Sequence, residues 1–193
     1  MRVYNELQLR INKILLLWGT TMEELEGINQ FMTKEYLESP FIRRLIIRNT
    51  FVIIETYLYV TKEIIKIKIE NSGDSLDWQK LALLNEKRVD INRKGQIETK
   101  DQFHSFIPSL RFTLNLFAEV FDAESPDYST HQFEKLIKQS KRRNQITHPK
   151  AKEDLLVSMD EIMENTDVLQ WFMTTHSKIN QKFQEWIKII YKE

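Results

Sequence analysis

From Phe41 to Glu70 thirty residues pass without a glycine or a proline, and apolar side chains fall on almost every side of the run. Its core, FVIIETYLYV, is rich in β-branched residues, so a strand is possible there. Thirty residues without a turn signal favour one long buried helix instead. The rest of the chain supports that choice, because only four glycines and four prolines punctuate 193 residues. Few breakers mean long helices and few tight turns. The expectation is an all-α fold, a single domain over 1–193 with room for a proper core.

The exceptions within the long run are Arg44, Arg48, Glu55, Tyr59 and Lys62. At about 100° per residue they fall within about 60° of one another, a polar stripe on an otherwise apolar rod. Either the stripe faces water with helical-neighbour pairing, or Glu55 or Arg48 is turned towards a site elsewhere in the chain.

Around this rod the sequence predicts further helices. Residues 4–17 form one, and Thr20 or Thr21 before Glu23 and Glu24 reads as the start of another, running to about Leu37 and stopping before Pro40. Asn71-Ser72-Gly73-Asp74 breaks the long helix, with Asp74 or Ser75 capping a helix over about 75–87. Residues 88–100 read as a loop or small hairpin around Gly95, and 102–121 returns to helix if Pro108 lies at its start or at a kink. Ser158 and Glu161 match a capping box opening a last helix, whose stripe is Phe172, Ile179, Phe183, Trp186 and Ile190, with a break near Asn165 or Thr175. The apolar run Ile14 to Trp18 is too short for a signal-peptide core or a membrane span, so no membrane association and a cytoplasmic location are expected.

The stretch Thr130–Lys150, THQFEKLIKQSKRRNQITHPK, carries the chemistry. Ser129 or Thr130 can cap a helix here, and Pro149 ends it, leaving His148 at or just past the last turn. On the helical wheel Leu136, Ser140, Arg143 and Thr147 share a line beside Phe133, so Arg143 points where the apolar residues point. Arg142 falls among Lys135, Lys138 and Gln139, on the side expected to meet water. An inward arginine needs a partner or a site, because burying a lone charge is very costly. Glu55 would be that partner if the polar stripe of the long helix faces the Arg143–His148 end rather than water.

Arg143-Asn144-x-x-x-His148 resembles the Arg-x(4–6)-His motif of HEPN domains, small helical domains found in prokaryotic RNase toxins and related defence proteins. In that family a polar residue, often Asn, follows the Arg, as Asn144 does. The resemblance implies an up-and-down helical bundle with long central helices, two motifs paired in a homodimer, and a setting in toxin–antitoxin or phage-defence systems with a cognate antitoxin protein. Glu55 resembles the acidic residue that HEPN-like sequences carry on their first core helix, with Arg48 as a second supporting candidate.

These residue types suit metal-independent RNA cleavage. Histidine titrates near neutrality and serves as proton acceptor or donor. Arginine offers a fork to phosphate oxygens as charge builds on them, and Asn144 can orient either the imidazole or the phosphate. Lysine plus arginine equals aspartate plus glutamate, 28 of each, so RNA must be held by a local patch. Lys138, Lys141, Arg142 and Lys150 are the candidates. The chain has no cysteine and no His-x-x-x-His pair, so no metal site and no cofactor are expected. His176 reads as a core or interface histidine and His131 as structural. The competing readings are a non-catalytic HEPN protein binding a nucleotide or protein partner, and a plain helical interaction module.

Overall fold

The computed structural model describes residues 2–73 and 75–190. Its described residues form seven α-helices and one two-stranded hairpin, an all-α protein. The helices are α1 (Arg2–Gln30), α2 (Lys34–Leu37), α3 (Pro40–Ser72), α4 (Trp78–Leu84), α5 (Phe106–Val120), α6 (His131–Thr147) and α7 (Met159–Ile190). The hairpin strands β1 (Lys87–Ile91) and β2 (Ile97–Asp101) lie between α4 and α5.

The β-branched run is helix throughout. α3 begins at Pro40, where a missing N–H costs nothing, and ends at Gly73, which takes the left-handed conformation at φ 73°. Helices α1, α5, α6 and α7 all pack on α3, so its apolar side chains are hidden on several faces. Ile47, Phe51, Ile54, Tyr57, Val60, Ile64, Ile65 and Ile67 are almost wholly buried. Phe41, Val52 and Tyr59 are the large apolar residues of α3 that stay exposed.

Several boundaries differ from the sequence expectation. α1 runs through Thr20 and Thr21, whose hydroxyls donate back to the carbonyls of Leu16 and Leu17 rather than capping a new helix. The buried residues Ile11, Ile14, Thr21, Leu25 and Ile28 keep one stripe in phase across the expected break, so nothing rewards a break there. α1 ends at Gln30, with the single turn α2 following. α4 is shorter than expected and is capped by Asp77, which accepts from the Lys80 N–H at 2.8 Å, not by Ser75; Asp74 lies outside the described residues. The segment around Gly95 is a hairpin, with Ile91 opposite Ile97. α5 holds Pro108 in its first turn, where its missing N–H breaks no bond.

α7 is unbroken. Asn165 is buried and donates to Thr50 Oγ1 at 2.8 Å, a polar contact between α7 and α3. Ser158 and Glu161 do form the capping box, with bonds of 2.7 and 3.2 Å. Between α6 and α7 runs a ladder of ion pairs, Lys135–Asp167, Lys138–Glu164 and Arg142–Glu161. Numbers rise on one helix as they fall on the other, so the two helices are antiparallel. The expectation that this face of α6 meets water is therefore corrected. Gln139 is fully buried and donates to Glu164 and to the Glu161 carbonyl, because the polar side of α6 packs on an acidic row of α7.

Candidate functional site

Thr130 caps α6, accepting from the Phe133 N–H. The helix stops at His148, the C-cap residue, whose N–H donates to the Asn144 carbonyl at 2.9 Å. The end of α6 leaves carbonyls without helical partners, and α3 supplies donors for the region. Arg48 donates to the Ile146 carbonyl at 2.7 Å, Arg44 to the Leu155 carbonyl at 3.0 Å and Arg43 to the Val157 carbonyl at 2.6 Å. The N-terminal part of the polar stripe is thus a clamp on α6 and on the connector after it.

Seven residues beyond Arg48 on α3, Glu55 meets the motif. Arg143 and Glu55 form an ion pair through Nη2 and Oε1. The guanidinium carbon lies 5.4 Å from the centre of the Phe51 ring, and Nε is buried without a partner. Arg143 sits where the helical wheel places it, and Glu55 offsets its charge.

Arg142 does not lie on the water side. It is held by Glu161 and by the carbonyls of Asp154 and Leu156, and its side chain is 13% exposed against 23% for Arg143. The expectation that Arg142 faces water is corrected: it is a tie between α6, the connector and α7. Lys138 is paired with Glu164 at 2.6 Å, while Lys141 and Lys150 are exposed. Asp154 accepts from the N–H groups of Lys150 and Ala151, and those bonds hold its carboxyl below the usual range. They fix the turn that follows His148-Pro149.

Arg143 and Asn144 line a cleft of about 540 Å³. Its α3 wall carries Glu55, Tyr59 and two lysines, Lys62 and Lys66. The facing wall is Asn85 and Glu86 from one end of the α4–hairpin excursion, and His104 and Ser105 from the other. Lys62 is buried, donating to Glu86 at 2.6 Å and to Ser109 at 3.3 Å. Glu86 holds φ at 52°, a conformation that costs a non-glycine residue of order 1–3 kcal/mol and persists only where the surroundings impose it. Its carboxylate on Lys62 and its carbonyl, which accepts from Gln102 N at 2.8 Å, impose it here.

His148 is not part of the cleft. It is exposed, five residues or about 7.5 Å of helix rise beyond Arg143. The site residues therefore divide: Arg143, Asn144 and Glu55 meet in the cleft, Arg48 fixes the helix end, and His148 stands outside. Lys62 was visible in the sequence only as one of the stripe, and His104 not at all, since no spacing relates it to the motif.

The other histidines are placed plainly. His176 is buried against Trp18 and Tyr57, with ring centres 3.9 and 4.1 Å away, and burial lowers its pKa to about 3. His131 is exposed beside Glu134 at 3.3 Å. Among the described residues no group of three or more histidines and carboxylates is placed to hold a metal ion, and no helix is long and apolar enough to cross a membrane. No protein-family model, curated protein or solved structure matches the chain.

Proposed function

We propose that this protein is a metal-independent endoribonuclease of HEPN type, acting as a homodimer and belonging to a toxin–antitoxin or phage-defence setting in the cytoplasm. The observation that carries the reading is the Arg143–Glu55 pair on the wall of a cleft that Asn144 also lines, one helix end away from His148. In this reading Arg143 meets a phosphate and offsets the charge that grows on its oxygens. The 2′-hydroxyl then attacks phosphorus, the bond to the 5′-oxygen breaks, and histidine handles the protons. Two-fold pairing would bring a second Arg143 and His148 to the same region. Exposed Leu156, Met159 and Met163, beside the segment that Arg142 ties to α6, support an interface there.

The reading is tested by incubating single-stranded or loop-bearing RNA with the protein in excess chelator and analysing the new termini. It requires 2′,3′-cyclic phosphate and 5′-hydroxyl ends; 3′-hydroxyl and 5′-phosphate ends contradict it. A second reading, a non-catalytic HEPN protein binding a nucleotide, draws on the position of His148 outside the cleft. Saturable binding of a mononucleotide with intact RNA favours it.

A further inference from the structure

The α4–hairpin excursion leaves α3 at Gly73, yet both of its far ends return to the cleft, Asn85 and Glu86 before β1 and His104 and Ser105 after β2. The return is anchored. Glu86 binds the buried ammonium of Lys62 on α3, and its carbonyl holds Gln102. Ser105 then takes the N-cap position of α5 at the cleft wall, where its carbonyl accepts from the Ser109 N–H at 3.1 Å. His104 is thus placed between two fixed points, Gln102 and the first turn of α5. Its imidazole shares the cleft with Arg143 and Asn144, and its Nε2 is buried without a hydrogen-bond partner. A histidine that lines the same cleft as an arginine and an amide has the make-up of a proton-transfer site. The other ionic groups of the cleft are already paired, Arg143 with Glu55, Lys62 with Glu86 and Lys66 with Glu63.

We propose that His104 is a catalytic residue of this cleft, taking the 2′-hydroxyl proton of a ribonucleotide whose phosphate lies on Arg143. The proposal rests on the endoribonuclease reading and deepens it, because it moves one proton transfer from a second copy of His148 to the same chain. Neutral His104 accepts the proton as the 2′-oxygen forms its bond to phosphorus. The bond from phosphorus to the 5′-oxygen breaks, and that oxygen, directed out of the cleft, takes a proton from the imidazolium of His148, which stands outside it. The products are a 2′,3′-cyclic phosphate and a 5′-hydroxyl, and exchange with water resets both histidines. The excursion then has a catalytic purpose, which is to carry His104 to the cleft.

The test uses the full chain, with His104→Ala and His104→Gln beside His148→Ala, cutting RNA in chelator with helical circular dichroism as the folding control. His104→Ala should cut about 10²- to 10⁴-fold more slowly, and imidazole added to the solution should restore part of the rate. Equimolar His104→Ala and His148→Ala chains, mixed, should stay as slow as either alone, because each site needs both histidines from one chain. If both His104 variants cut as fast as wild type, or are slow without any rescue by imidazole, the proposal falls while the endoribonuclease reading stands. Recovery on mixing would overturn the same-chain arrangement, and loss of helicity in both variants would make His104 a folding residue instead. A wild type that leaves RNA intact would overturn both readings together.

Discussion

Arg142 and Arg143 are neighbours on the chain and differ in what they hold. Arg142 joins three pieces of structure through Glu161 and two carbonyls, and hydrogen bonds to charged groups are each worth about 1.5–3 kcal/mol. Arg142→Ala should therefore lower unfolding free energy by roughly 2–3 kcal/mol in denaturant titration. Arg143→Ala, whose one ion-pair partner Glu55 is half-exposed, should cost less stability and abolish cutting. A stable Arg142→Ala beside an unfolded Arg143→Ala would reverse the two assignments. His176 gives a second prediction. Its pKa is about 3 in the fold and about 6.5 in the unfolded chain. The unfolded chain therefore binds a proton that the folded chain refuses, and this contribution to stability is complete above about pH 6.5 and lost as pH falls towards 3. The loss is at most about 1.4 kcal/mol per pH unit. The stability of His176→Leu should accordingly gain on that of wild type between about pH 6.5 and 4, and parallel curves would show that burial does not hold the ring neutral. The inward turn of Arg143 was legible from helical phase alone. The partner of Arg142 was not, because a basic row on one helix reads the same whether it meets water or an acidic row on another.

At the scale of elements, α3 was legible almost to its ends, because a continuous apolar run without breakers has one economical solution. The misplaced boundaries share a cause. Thr20 and Thr21 look like caps, and Asn165 and Thr175 look like breaks, only to local signals; in the fold Thr21, Asn165 and Thr175 are buried on the faces that α1 and α7 turn inward. Tertiary burial outweighs a capping preference worth about 1 kcal/mol. Where the local signal and the packing agree, as at Gly73, the boundary was read correctly. Gly73 sits at φ 73°, and a Cβ there would meet no atom within 4 Å. Gly73→Ala should thus cost about 1 kcal/mol from backbone conformation alone, seen as a lower melting temperature with unchanged helical content. A neutral or stabilising effect would mean that α3 does not end in the left-handed turn.

For the whole molecule, the apolar surface that a linear reading assigns to α3 and α7 is largely buried inside one chain, since α1, α2, α5, α6 and α7 all pack on α3. The cleft was not legible, because its far wall comes from an excursion whose polar sequence carries no periodic signal. The proposed dimer needs only a local contact near the α6 end, and light scattering at low concentration should give twice the 23.3 kDa chain mass. A monomer that cuts RNA would leave the same-chain pair of His104 and His148 as the surviving arrangement. The most direct test of the central claim is the rate of RNA cutting in excess chelator by wild type, Arg143→Ala and His148→Ala chains of equal helicity. Cutting by wild type alone, leaving cyclic phosphate ends, is the expected result; equal rates for wild type and His148→Ala would contradict it.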